Sequence, residues 1–210
     1  MSALEKTEFV ERREAPRHTL VMRTAKLVSR HGEFACIVRD VSASGAKLRL
    51  FHKPPPDEFL FLELANGEIY AIQHIWTEGE YCGYRFASEI DVDAFIKEPG
   101  KRPGRPVRLN ITRPMLVHAA GHEYRAILVN LSQEGACFEC DQPFAETQRI
   151  NVEIEFVPGR IGHVCWRKGQ AHGVVFQEGF ALDEFARIAL LLQPFPEDTG
   201  TFDQGKLRCA

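Results

Sequence analysis

Two groups of residues in the N-terminal half have the types and spacing of an anion-binding site. The first is an arginine cluster in residues 12–17 that contains an Arg-x-x-x-Arg pattern, and the second is an Asp-x-Ser-x-x-Gly pattern in residues 40–45. An arginine guanidinium is a planar fork that binds a phosphate through two hydrogen bonds, reaches the acceptor edge of a base and stacks on rings. The candidate ligand-binding residues are Arg12, Arg13, Arg17, Asp40, Ser42 and Gly45.

Each pattern taken singly also has a purely structural explanation. Arginines beside Glu11 and Glu14 would form surface ion pairs, which contribute little to stability. An Asp-x-Ser-x-x-Gly segment is typical of a turn in which Asp and Ser bond to nearby backbone. Gly45 either adopts a positive φ in that turn or lets a ligand approach the backbone closely. The occurrence of both patterns in one chain favours binding.

Composition excludes several classes of protein. The chain has 210 residues, is 44% hydrophobic and 26% charged, and carries a net charge of −3, as an ordinary globular protein without a general basic surface for nucleic acid would. The N-terminal segment lacks the apolar core of a secretory signal. The longest apolar run, residues 188–192, is far shorter than the roughly 20 residues of a transmembrane helix. We therefore expect a cytoplasmic protein that does not insert into membranes.

The sequence predicts neither a metal site nor catalysis. Cys137 and Cys140 form a Cys-x-x-Cys pattern, but no second pair follows at the spacing of a zinc site. Positions three apart in a strand also point to opposite faces, so core packing explains the two cysteines better. No Ser-His-Asp set, carboxylate pair or glycine-rich phosphate loop stands at a suitable spacing. We expect no cofactor, no metal and no enzymatic activity.

The chain contains an internal repeat, because eight residue pairs recur at a constant separation of 90 positions. The pairs are Asp40 and Asn130, Ser42 and Ser132, Gly45 and Gly135, Trp76 and Trp166, Gly83 and Gly173, Phe86 and Phe176, Asp93 and Asp183, and Phe95 and Phe185. A segment rich in proline and glycine, residues 97–106, separates the copies and cannot continue a helix or a strand. The sequence therefore predicts two domains, residues 1–98 and 99–210.

Each copy has the pattern of a small β-barrel followed by a helix. The predicted strands are 20–29, 34–41, 46–51, 58–65, 68–76 and 82–87 in the first copy, and 124–132, 136–140, 149–157, 162–167 and 172–177 in the second. The predicted helices are 91–97 and 182–192. The expected fold is mainly β, with two tandem six-stranded antiparallel β-barrels, each followed by a short helix and the longest at the C-terminus. We expect Trp76 and Trp166 to lie in the barrel cores.

The order of these motifs resembles the PilZ domain family, the bacterial receptor module for cyclic di-GMP (c-di-GMP). Later in each copy, Gly83-Tyr-Arg-Phe86 and Gly173-Val-Val-Phe176 match the Gly-x-x-Phe pattern of that family, so the resemblance covers nearly the whole chain. It implies that Arg13 and Arg17 contact guanine and phosphate. By the same resemblance, Asp40, Ser42 and Gly45 line the guanine site, Arg12 is a further contact, and either one ligand or an intercalated pair binds.

The second copy departs from this pattern. Its arm reads Arg102-Pro-Gly-Arg105-Pro-Val-Arg108, which contains no Arg-x-x-x-Arg, and Glu134 adds negative charge beside the second motif. We therefore predict a structural, dimerising or partner-binding role for this copy. A weaker second ligand site stays open as an alternative, with Arg105, Arg108, Asn130, Ser132 and Gly135 as its residues.

The leading hypothesis is a cytoplasmic c-di-GMP receptor. Its N-terminal domain would bind the dinucleotide and pass the signal, by a conformational change, to a protein partner in motility, exopolysaccharide or virulence control. The alternative is a PilZ-type adaptor that binds a protein and no nucleotide. A third interpretation, binding of single-stranded nucleic acid, requires a basic groove with stacking aromatics. Residues 12–30 carry six basic residues and one acid, so this third interpretation stays open. A nucleic-acid partner is nevertheless not expected.

Overall fold

The computed structural model describes residues 18–97 and 106–195. These residues form two closed barrels, each of six antiparallel strands, and a helix follows each barrel. The predicted fold class is therefore confirmed. The arm residues Arg12, Arg13, Arg17 and Arg105 lie outside the described residues.

The two barrels have the same topology. The first contains β1 (His18–Ser29), β2 (Gly32–Ser42), β3 (Gly45–Arg49), β4 (Phe59–Leu64), β5 (Ile69–Glu78) and β6 (Tyr81–Phe86), followed by α1 (Val92–Lys97). The second contains β7 (Arg108–Ala119), β8 (His122–Ser132), β9 (Gly135–Glu139), β10 (Arg149–Ile154), β11 (Val157–Lys168) and β12 (Ala171–Phe176), followed by α2 (Leu182–Leu192). The strand order is β1-β2-β3-β6-β5-β4 in the first barrel and β7-β8-β9-β12-β11-β10 in the second. The pairing of β1 with β4 closes the first barrel, and the pairing of β7 with β10 closes the second.

Most strand bounds repeat at 90 positions, as the internal repeat predicts, and α2 has the predicted bounds. The strands predicted for the second copy began at residue 124 and so omitted β7. This strand contains Pro114, which cannot donate to a strand ladder and argues against a regular strand. The structure accommodates it close to a bulge between Asn110 and Arg113 in the pairing of β7 with β8.

Side chains alternate between the core and the outer face, which is why these segments form barrel strands. In β4, Leu60, Leu62 and Leu64 are buried, while Phe59 and Phe61 point outward and are exposed. The helices close the cores with aromatic side chains, because Phe95 of α1 and Phe185 of α2 are both fully buried. Neither described helix has the length and hydrophobicity that a bilayer-spanning helix needs.

The prediction that the tryptophans lie in the barrel cores is wrong. Trp76 and Trp166 each keep 37% of their surface exposed and lie on the outer faces of the barrels. Trp76 is the cross-strand partner of Gly83, and Trp166 has the same relation to Gly173. Each indole occupies the space that a side chain on its partner glycine would fill. Each glycine therefore leaves room for an indole ring on the outer face of its barrel.

Candidate functional site

A cleft of about 190 Å³ on the outer face of the first barrel brings together the three described residues of the predicted site. We call it the motif cleft. It is lined by Asp40, Val41, Ser42, Ser44, Gly45, Ala46, Lys47, Ile75, Trp76, Gly83, Tyr84 and Arg85. Its volume is below the roughly 300–1,000 Å³ of pockets that enclose a whole small molecule. The cleft by itself therefore fits part of a ligand, such as one base, and further chain must cover the rest.

Asp40 reaches the cleft because of a bulge in β2. The pairing of β2 with β3 shifts between Val38 and Asp40, after which Asp40 stands opposite Lys47. Within residues 18–97 and 106–195, no donor bonds to the Asp40 carboxylate. A half-buried carboxylate without a hydrogen-bond donor is stabilised by any ligand that presents N–H groups to it. Asp40 is thus well placed to accept hydrogen bonds from a base edge.

Ser42 and Gly45 close the turn between β2 and β3. The Ser42 hydroxyl donates to the Gly45 carbonyl at 3.2 Å, and Ser132 donates to Gly135 in the same way at 3.0 Å. The turn explanation therefore holds for both serines, whereas their contact with a ligand stays a prediction.

The expectation of a positive φ at Gly45 is wrong, because its φ does not lie in the left-handed region. A Cβ at this position would lie 2.5 Å from the Tyr84 carbonyl oxygen on β6. Glycine is required because the neighbouring strand approaches so closely. The alternative that it also lets a ligand approach the backbone stays a prediction.

Trp76 was not among the site residues that the sequence predicted, yet it lies in the motif cleft. Its indole lies on Gly83 and lines the motif cleft together with Asp40. An exposed ring next to a carboxylate can stack on a base while the carboxylate accepts hydrogen bonds from the edge of that base. The recurrence of Trp and Gly at positions 76 and 83, and again at 166 and 173, was the signal, but it was interpreted as core packing.

Two cations in the motif cleft were also missed. Lys47 and Arg85 line the cleft, and the Lys47 ammonium lies 4.4 Å from the centre of the Tyr81 ring. At the matching positions 90 residues later, the second copy has Cys137 and Val175. Comparison of the two copies at these positions would have revealed the difference. Lys47 and Arg85 concentrate positive charge at the motif cleft, although the whole chain has a net charge of −3.

The Tyr84 phenol, which lines the motif cleft, stays neutral near pH 7. Burial raises the pKa of the Tyr84 phenol and of the neighbouring Cys82 thiol. Among residues 18–97 and 106–195, no group of three or more His, Cys, Asp or Glu side chains could hold a metal ion. The charge of the cleft is therefore set by Asp40, Lys47 and Arg85.

In the second barrel, the described residues of the predicted site do not form one cleft. Arg108 and Asn130 line a cavity of about 590 Å³ between the barrels, together with Lys26 and Glu63 of the first barrel. Ser132 is buried in its turn, and neither it nor Gly135 lines this cavity. At the position that matches Arg17, the second copy has Val107, which is buried in the core cluster of the second barrel. A buried apolar residue thus stands where the first copy has an arginine that is predicted to bind ligand.

Comparison with known families gives one clear match. The family described as PilZ domain matches the chain twice, over residues 11–98 and 103–192. Each match contains one of the two barrels and its helix. No curated protein gives a significant match to the sequence.

The chain is also similar to solved structures at low sequence identity. The Borreliella burgdorferi PlzA protein in complex with c-di-GMP is 10% identical, over 81% of this chain and 87% of that chain, with a TM-score of 0.35. The Bacillus subtilis inhibitor of motility (MotI/DgrA) is 10% identical, over 84% and 96%, with a TM-score of 0.35. YcgR from Escherichia coli in complex with c-di-GMP is 10% identical, over 81% and 83%, with a TM-score of 0.31.

Proposed function

Because the chain belongs to the PilZ domain family and carries two copies of the domain, we propose that it is a cytoplasmic receptor for c-di-GMP that binds the dinucleotide through its first barrel. The observation that carries the proposal is the motif cleft. It combines a carboxylate that no donor among the described residues bonds, an exposed tryptophan and two cations, and the arginine arm precedes β1 in the sequence. We further propose residues 1–98 and 99–210 as the bounds of the two domains.

Each group in the motif cleft suits one part of the dinucleotide. The Asp40 carboxylate accepts hydrogen bonds from N1–H and N2–H₂ of a guanine, and Trp76 stacks on the base. Lys47 and Arg85 supply positive charge for a phosphodiester. Ser42 and Gly45 form the turn against which the base packs.

The arm supplies what the small cleft lacks. Arg13 and Arg17 bind guanine and phosphate, and Arg12 adds a further contact, in accordance with the family motif. One dinucleotide or an intercalated pair then lies between the arm and the barrel. Contact between the arm and the bound ligand is the step that changes the surface presented to a protein partner.

Titration calorimetry of the full chain with c-di-GMP tests the proposal. We expect binding to the unaltered chain and a loss of about 1.5–3 kcal/mol in each of Arg13→Ala and Arg17→Ala, the range for hydrogen bonds to charged groups. Asp40→Ala should weaken binding similarly. Asn130→Ala, the matched change in the second barrel, should leave the affinity unchanged. Absence of heat and of any shift in melting temperature at tens of micromolar ligand would refute the receptor function.

A second candidate function, a protein-binding adaptor, is favoured by a different surface. Phe59, Phe61 and Ile69 are exposed on the outer face of β4 and β5. At positions matching the two phenylalanines, the second copy has Arg149 and Asn151, so the barrel fold does not require apolar residues there. Binding of a partner protein that is lost in Phe59→Arg/Phe61→Asn, yet is indifferent to c-di-GMP and to Arg13→Ala, would favour the adaptor.

A further inference from the structure

The hairpin between β1 and β2 of the first barrel is bonded to the second barrel through Glu33. The Glu33 carboxylate accepts hydrogen bonds from the backbone N–H and the side-chain amide of Asn110 on β7, both at 2.8 Å. On its own barrel, it pairs with Lys26 at 2.9 Å. Only 13% of the Glu33 side chain is exposed, which makes these bonds stronger than those of a surface ion pair.

Gln193, which follows α2, bonds to the same residue. Its side-chain amide donates to the Glu33 carbonyl at 2.9 Å and accepts from the Glu33 N–H at 3.0 Å. A Cβ at Gly32 would overlap this amide, so glycine is required for the contact. Arg113 of β7 also bonds to the Leu192 carbonyl and holds the end of α2 in place. We call Glu33, Asn110 and Gln193, with Lys26, the Glu33 latch.

Apolar contacts surround the Glu33 latch. Ala35 of β2 is fully buried in the core cluster of the second barrel. Phe34 is also fully buried, and its ring meets the rings of Phe195 at 5.4 Å and His52 at 5.0 Å between centroids. Removal of apolar surface from water and the directional bonds of Glu33 together hold the two barrels in one arrangement.

Among the residues that the structure describes, the equivalent hairpin of the second barrel makes no such contact. Glu123 matches Glu33 at 90 positions, but 58% of its side chain is exposed, and its ion pair within the described residues is with His118 at 4.0 Å. His122 stands where the first hairpin has Gly32. The contact is therefore specific to the first hairpin and is not a general feature of the barrel.

The Glu33 latch lies at the edge of the second barrel that corresponds to the ligand edge of the first. Asn110 is the cross-strand partner of Asn130, which matches Asp40, and the buried Val107 matches Arg17. From this placement we infer that the second barrel uses this edge to hold the first barrel instead of binding a dinucleotide. The two barrels then form one cooperative unit with a single dinucleotide-binding barrel. The ligand part of this inference rests on the proposed receptor function, whereas the latch does not.

Scanning calorimetry of the full chain without ligand tests the latch. We expect the unaltered chain to unfold in one transition, with a ratio of calorimetric to van't Hoff enthalpy of about 1. Glu33→Ala/Gln193→Ala should split this transition into two, and so should Gly32→His, which introduces the histidine of the second hairpin. The matched change Glu123→Ala should keep one transition. Two transitions in the unaltered chain, or one in both latch variants, would overturn the inference.

A titration of the Asp40→Ala chain with c-di-GMP tests the role of the second barrel. With the first barrel impaired, we expect only the weakened binding of that barrel, which adding Asn130→Ala should leave unchanged. Remaining binding that disappears in Asp40→Ala/Asn130→Ala would place a ligand at the second barrel and overturn the inference. If the unaltered chain also fails to bind, the receptor proposal fails, and the calorimetric unfolding still decides whether the latch couples the barrels.

Discussion

The Trp76 indole lies over Gly83, its partner on the neighbouring strand, and fills the space that a side chain at Gly83 would need. The same arrangement recurs with Trp166 and Gly173. A ring that would usually be buried is thereby held flat on the outer surface. In the first barrel this ring borders Asp40, Lys47 and Arg85.

Gly83→Ala should therefore affect both stability and ligand binding. The added methyl group displaces the Trp76 indole, and overpacking of this kind costs about 1–3 kcal/mol of unfolding free energy. Binding of c-di-GMP should weaken because the stacking surface moves. Urea unfolding and calorimetric titration measure the two effects. Gly173→Ala should cost similar stability without weakening binding, and an equal loss of affinity in both variants would contradict the assignment of the site to the first barrel.

The two cleft cations can be exchanged for their counterparts in the second copy. Lys47→Cys and Arg85→Val should each weaken c-di-GMP binding by about 1–3 kcal/mol, because each removes a charged partner of a phosphate. The affinity of the variants should also depend less on salt concentration. Titrations at two ionic strengths check both points. Unchanged affinity in both variants would remove these cations from the site.

The serines of the two turns separate a structural role from a ligand role. Ser42→Ala and Ser132→Ala should each lower the free energy of unfolding by about 0.5–1.5 kcal/mol, because each removes the hydrogen bond that closes its turn. Of the two, Ser42→Ala should also weaken c-di-GMP binding. If Ser42→Ala binds c-di-GMP with the affinity of the unaltered chain, Ser42 stabilises the turn and does not contact the ligand.

Acid should destabilise the second barrel through His172. This residue is fully buried, its ring stacks on Phe138 at 5.2 Å and meets Phe144 at 5.4 Å, and within the described residues neither ring nitrogen makes a hydrogen bond of normal geometry. Burial lowers the pKa of His172 from its ordinary value of 6.5. The unfolded chain then binds the proton more readily, so this contribution to stability is complete above pH 6.5 and is lost as the pH falls below it.

His172→Cys, which introduces the residue found at the matching position 82, should flatten this pH dependence. The free energy of unfolding, measured by urea titration between pH 5 and pH 8 (about the range in which histidines titrate), checks the prediction. His163→Gln, a change at an exposed histidine, serves as the control. An unaltered slope in His172→Cys would assign the acid sensitivity to other groups.

The barrels and their number could be predicted because they depend on local patterns and on the repeat. Alternating side chains such as Leu60, Leu62 and Leu64 specify a strand with one buried face, and the separation of 90 residues specifies two copies. The helix Leu182–Leu192 could also be predicted from a local pattern, because its apolar residues recur at helical spacing.

The outer faces of the barrels could not be predicted in this way. Trp76 was assigned to the core because large aromatics usually are buried, and only the cross-strand pairing with Gly83 shows a surface seat for it. Lys47 and Arg85 are ordinary strand residues in the sequence. Their proximity to Asp40 follows from the pairing of β3 with β2 and β6.

The sequence by itself therefore determined the two barrels, the motif that distinguishes the first copy, and the loss of the arginine pattern in the second. The tertiary structure alone decided which side chains share the motif cleft and which edge of the second barrel meets Glu33. The physical reason is that strand patterns arise from neighbours along the chain, whereas Glu33 and Asn110 are 77 positions apart. Contacts of that kind depend on how two separate barrels pack, which the pattern of neither strand specifies.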